Sequence, residues 1–176
     1  DKLSATFDLE RDQQFAYWVN LYNALTVKVV LDHYPVDSIR DIDISPGLFS
    51  SGPWGKKLIM VEGRTLSLDD IEHRILRPIW RDARIHYAVN CASIGCPALA
   101  LKAYEASKLD DQLDQAAKGF INHSRAVRVG DANVMLFYNS LFAIRAIAPG
   151  DTLRLYAARA ATAAEEETAA SLSSSH

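Results

Sequence analysis

The stretch "FAYWVNLYNALTVKVVL", Phe15 to Leu31, decides how the chain is read. Phe15, Trp18, Tyr22, Leu25 and Val29 recur at spacings of three and four, which puts them on one helical stripe. Ala16, Val27 and Val30 fall off that stripe, so the helix is apolar on more than one side and belongs at the centre of a core. Asn20, Asn23 and Lys28 interrupt the run. With the periodicity, they argue for a buried core helix and against a membrane span. The pattern predicts a helix from about Gln13 to His33, stopped by Tyr34-Pro35, because the residue before proline is pushed out of helical geometry.

Working outward, "SPGLFSSGPWGKK" at Ser45 to Lys57 carries three glycines, two prolines and three serines, the composition of a loop. Trp54 and Phe49 are apolar anchors on it, which suits a lid or binding loop as well as an ordinary connection. "LIMVEGRTLSL" reads as a short strand, a turn around Gly63 and a returning strand. Ser67 and Asp70 resemble a capping box that opens a helix through Leu76, with Pro78 closing it. "RIHYAV" is strand-like. A helix follows Ser107, with Leu109, Leu113, Ala116, Ala117 and Phe120 on one face. "AVRVGDANVMLFY" reads as a hairpin turning at Gly130-Asp131, and a last helix starts after Asp151 or Thr152. Residues 160–176 are an Ala, Glu and Ser-rich tail. Strands come in hairpins between helices. The expected fold is therefore α+β, a single domain over residues 1–159 with a central apolar helix on a small, mostly antiparallel sheet.

The 176 residues suffice for a sizeable core, and 49% apolar content with a net charge of −3 is a globular composition. Basic residues are scattered, so the footprint of a nucleic-acid binder is missing. The chain opens on Asp, not Met, and reads as a fragment, a trimmed chain or a mature form. Any targeting segment is then out of view and localisation stays open, with export in bacteria one option. G-x-G-x-x-G, Walker, G-x-S-x-G and H-E-x-x-H patterns are absent, so no cofactor or metal is expected.

Chemistry concentrates in "HYAVNCASIGCP", His86 to Pro97, which holds both cysteines of the chain. The C-x4-C spacing fits neither a zinc pair nor a thioredoxin-like C-x-x-C. A Cys91–Cys96 disulfide across a turn is sterically allowed. Cys91 as a nucleophile needs a base within hydrogen-bond reach. In one straight strand His86 and Cys91 point to opposite faces, roughly 16 Å apart at about 3.3 Å per residue. His86 can serve only if the chain bends, and otherwise His33, His73 or His123 must. Burial of Cys91 for packing alone is the plain alternative. Asn20 and Asn23, three apart, share a helix face. They either tie the helix to neighbouring backbone or serve as an orienting or oxyanion-binding pair. His73, beside Glu72 in "DDIEHRILR", reads as structural or exposed.

"FAYWVNLYNALTVKVVL", "SLDDIEHRILR" and "ARIHYAVNCASIGCP", in that order, resemble the family known as domain of unknown function 547, over about residues 10–125. The resemblance implies membership of a group widespread in bacteria, plants and nematodes. Its members stand alone, follow export signals, or are fused to glutaredoxin-like, DEP or leucine-zipper segments. It implies no established reaction. It places a cysteine at Cys91, where the Cys96 position can be serine, and includes the positions of His86, Asn20 and Asn23. After about Asn133 the chain departs from the family, where "SLFAIRAIAPGDTLRLYAARAATAA" replaces an expected aromatic-rich helix.

Two functions follow as expectations. The first is a cysteine-dependent hydrolase or acyl-transferase on a peptide-like or thioester-like bond, with Cys91 as nucleophile, His86 as base, and Asn20 or Asn23 orienting the base or holding an oxyanion. A cysteine-protease or transglutaminase-like arrangement is the matching version of the fold, by analogy alone. The second is a non-catalytic module that binds a protein, peptide-like or small-molecule ligand, with Cys91 in the core.

Overall fold

The computed structural model describes residues 9–47, 52–93, 95–123, 126–129 and 134–136. The chain forms two compact units, Asp1–Ala117 and Lys118–His176. The first is built on α1, Arg11–Asp32. Its start is fixed by side chains: the Glu10 N–H donates to Gln13 Oε1 and Gln14 Nε2 donates to the Leu9 carbonyl. These contacts satisfy groups that the helix end leaves open. The helix ends at Asp32, just before Tyr34-Pro35, as the proline predicts.

The connection after α1 passes a 3-10 turn at Ile39–Asp41 and carries no strand among the described residues. Phe49 lies outside the described residues. Trp54 packs inward against the main core and against a smaller cluster of Val29, Ile39 and Ile42. β1 (Ile59–Val61) and β2 (Arg64–Leu66) pair antiparallel, with Ile59 opposite Leu66 and Val61 opposite Arg64. Glu62 and Gly63, at φ 48° and 76°, make the two-residue turn, the positive angles that keep tight hairpins in twist register.

A capping box starts α2 as expected. Ser67 N–H and Oγ both donate to Asp70 Oδ2, and the Asp70 N–H donates back to Ser67 Oγ. The helix covers residues 68–80, with wide π-helical turns at Asp70–Leu76 followed by an α-helical turn at Arg77–Trp80. Pro78 does not close it. The Arg77 N–H reaches Glu72 O, five residues back, and the Arg81 N–H reaches Arg77 O, four back. Pro78 stands where the ladder changes step, so its missing N–H is tolerated there.

"RIHYAV" is a second correction. Ile85–Ala88 is a helical turn, α3, not a strand. Asp82 caps it by accepting the Arg84 N–H at 2.8 Å, and the Arg84 side chain pairs with Asp82, Asp110 and Asp114. That cage of charges holds the turn against the local alternation of apolar residues. A 3-10 turn at Ala106–Lys108 then leads into α4, Leu109–Ile121.

In the core of the first unit, Phe15, Trp18, Val19 and Tyr22 of α1 pack with Val61 and Leu66 of the hairpin, Leu68, Ile71 and Leu76 of α2, Ile85 of α3, and Leu109 and Leu113 of α4. The central helix thus shares its core with a small antiparallel sheet, and the fold is α+β. In the second unit β3 (Val127–Val129) pairs antiparallel with β4 (Val134–Leu136). The turn residues, the expected helix after Asp151 and the tail lie outside the described residues.

Candidate functional site

Two asparagines on α1 organise the site. Asn23, 8% exposed, donates from Nδ2 to the Ala88 carbonyl at 2.9 Å and accepts the Asn90 N–H at 2.8 Å. Asn20, one turn earlier, donates to the Tyr104 carbonyl at 2.9 Å and accepts the Tyr104 N–H at 2.8 Å. Each planar amide meets one backbone acceptor and one donor, so both ends of the 90–104 segment are tied to the same helix. The backbone-tying role expected of Asn20 and Asn23 is what the geometry displays. Each Nδ2 uses one of its two N–H groups in this tie, so an oxyanion role would fall to the second.

Between the ties the chain arches away. At its start Cys91 and Cys96 form a disulfide, with Cα atoms 6.3 Å apart. Cys91 is half-buried and Cys96 is 6% exposed. Asn90 staples the same loop with its side chain: Nδ2 donates to the Pro97 carbonyl at 2.6 Å and Oδ1 accepts the Ala92 N–H at 2.7 Å. Asn90 was not singled out from the sequence, although its place directly before Cys91 was a signal. In this oxidised form Cys91 carries no thiol.

His86 lies on α3 rather than on a strand, so the straight-strand geometry that set it against Cys91 does not apply. Its ring makes an edge-to-face contact with Tyr87, centroids 5.4 Å apart. Burial and the Arg77 guanidinium push its pKa below the ordinary histidine value, against the pull of Glu72. Glu72 sits on the π-helical stretch, where its carboxylate takes two bonds from Arg77 at 2.6 and 3.1 Å. It also accepts from the Tyr22 hydroxyl, whose pKa is pushed far up by burial and by that carboxylate. His86 thus belongs with Tyr22, Glu72 and Arg77, a grouping drawn from three separate segments. His73 is exposed.

Beyond the disulfide the arch forms one wall of a groove of about 580 Å³, with the second half of α1 as the other. Val27 and Leu31 of α1 face Leu99 and Leu101 across it, all four exposed and Leu101 fully so. Lys28, paired with Asp32 at 2.5 Å, and Lys102 stand at its rim. The backbone N–H and C=O groups of residues 98–102 have no hydrogen-bond partner among the described residues. Sequence reasoning did not reach this groove, because Leu99 and Leu101 look like ordinary core leucines until their exposure is known.

Among the described residues no three or more His, Cys, Asp or Glu side chains gather as metal ligands, and no helix is long and apolar enough to cross a membrane. The family model described as "Protein of unknown function, DUF547" matches residues 7–121. No curated protein and no solved structure matches the chain.

Proposed function

The chain belongs to the DUF547 family, and on that premise we propose that it is a binding module that takes an extended, apolar peptide into the groove between α1 and residues 99–104. One observation carries this reading. A single concavity combines four exposed aliphatic side chains with a run of backbone whose hydrogen-bonding groups have no partner among the described residues. An extended peptide satisfies both at once: its backbone pairs with residues 98–102 and alternate side chains enter the groove. Lys102 at the rim, beside the Lys28–Asp32 pair, favours a peptide that carries an acidic residue beside its apolar positions. The test is an NMR titration of the isotope-labelled chain with a capped hexapeptide of alternating Leu and Thr, and with a version bearing one Glu. The expected result is amide shifts confined to residues 24–32 and 98–104, stronger for the acidic version and lost in Leu101→Asp. Absence of shifts at about 1 mM peptide would overturn the reading.

A second reading keeps the cysteine chemistry. His86 is held toward its neutral form, the state a general base requires. A hydrolase or acyl-transferase using Cys91 then operates only in the reduced chain. Its test is turnover of a model thioester with and without a dithiol, and equal rates in wild type and Cys91→Ala would reject it.

A further inference from the structure

We propose that the Cys91–Cys96 bond is a thiol-exchange site that opens without loss of the fold, with Cys91 as the sulfur that takes up an incoming thiol. The first support is asymmetry of access. Cys91 is half-buried between exposed backbone and the fold, with Ala92 and Ser93 open to solvent, whereas Cys96 is only 6% exposed. An attacking thiolate needs a path to the sulfur it strikes, and Cys91 is the more accessible of the two residues.

The second support is that the loop is closed twice. Asn90 bridges the Ala92 N–H and the Pro97 carbonyl, spanning the residues that the disulfide spans. Asn23 in turn fixes the Asn90 backbone to α1. The ring between the cysteines is short, with a sequence separation of 5, so its cross-link removes less freedom from the unfolded chain than a long one does. A bond that duplicates a standing polar staple and closes a small ring is dispensable for folding.

The chemistry balances with a dithiol as co-reactant. Its thiolate attacks Cys91 Sγ. A new sulfur–sulfur bond forms there, the Cys91–Cys96 bond breaks, and Cys96 leaves as a thiolate that takes a proton. The second thiolate of the co-reactant then attacks its own sulfur in the mixed disulfide, and Cys91 departs as a thiolate that is protonated in turn. The chain gains two electrons and two protons, and the co-reactant is oxidised to its cyclic disulfide. With a monothiol such as glutathione the first step stands alone, and Cys96 reverses it by attacking Cys91.

The experiment treats the folded chain with dithiothreitol and no denaturant, quenches with an alkylating agent at timed points, and reads each cysteine by mass spectrometry beside circular dichroism. Three results are expected. Reduction completes in the native state, the reduced chain still melts cooperatively, and Cys91 is alkylated at least about tenfold faster than Cys96. In Cys96→Ser, oxidised glutathione then caps Cys91, and in Cys91→Ser it leaves Cys96 unmodified. The double variant Cys91→Ser/Cys96→Ser reports the reduced fold without reductant. Resistance of the bond until denaturant is added, equal labelling of the two sulfurs, or loss of cooperative melting in both the reduced chain and the double variant would each overturn the proposal. None of these readouts depends on peptide binding.

Discussion

Asn23→Ala is the sharpest probe of the site's construction. The substitution removes two hydrogen bonds, Nδ2 to the Ala88 carbonyl and the Asn90 N–H to Oδ1. A satisfied bond contributes about 1 kcal/mol net, while a buried group stripped of its partner costs about 1–3 kcal/mol. Ala88 is buried, so its carbonyl takes the larger penalty. Asn90 is half-buried, so its N–H recovers part of its loss from water. The sum is about 2–4 kcal/mol of lost stability. Urea unfolding reads this as a lower midpoint at unchanged slope. Asn23→Asp is the companion test. It retains the acceptor for Asn90 but sets a carboxylate oxygen against the Ala88 carbonyl in a buried place, so its cost should match or exceed that of alanine. Asn20→Ala removes an equivalent pair at the other end of the same arch. The double variant should therefore depart from the sum of the singles, as sites sharing a structural unit do. A loss below about 0.5 kcal/mol for Asn23→Ala would refute the reasoning, since it would mean the amide is not what holds residues 88 and 90.

Three further outcomes follow from the electrostatics and the hairpin. Burial works against the charge of Asp70, but Lys57 and the Ser67 hydroxyl and N–H override it and hold the carboxyl at about 2, below its unfolded value of 3.8. That contribution is complete above the unfolded value and is lost as pH falls through the folded one. Stability measured from pH 5 down to about 2 should drop by about 2 kcal/mol more in wild type than in Asp70→Asn, and parallel curves would contradict this. His86, pushed down by burial and Arg77, resists protonation in the folded chain. Its contribution is present above the unfolded histidine value of about 6.5 and declines as pH falls below it, and an imidazole NMR titration with a midpoint at or above that value would dismiss the burial argument. Glu62 occupies a turn position at φ 48°. Glu62→Asn should raise thermal stability by about 0.5–1 kcal/mol, because asparagine tolerates the left-handed region, and an unchanged melt would show that the turn carries no strain.

The main helix was legible because its stripe at spacings of three and four is long enough to outvote every competing pattern. The β1–β2 hairpin and the Ser67–Asp70 box were legible for a similar reason: their determinants lie within a few residues of each other. "RIHYAV" misled because its turn is held by Arg84 reaching Asp110 and Asp114, 26 and 30 residues along the chain. Pro78 misled because the π-helical step before it is invisible in composition. The need of Asn20 and Asn23 for partners could be argued from burial alone, but their partners are 84 and 65–67 residues away. The C-x4-C spacing permitted a disulfide without deciding it.

The two asparagines also account for why the groove lies where it does. A helix uses its backbone N–H and C=O groups internally, so it has none left to pair with an extended neighbour. At Tyr104 the Asn20 amide supplies both missing halves, one donor and one acceptor to a single residue, which is the two-bond pattern of an antiparallel bridge. Asn23 repeats it across Ala88 and Asn90. The arch is thus docked as though against a strand, yet no strand lies beside it among the described residues, and between the two anchor points the backbone of residues 98–102 stays available. Unpaired backbone flanked by leucines can act as a template for a further chain. The same tethers that let the arch stand without a sheet leave it with the open edge that a peptide partner would fill.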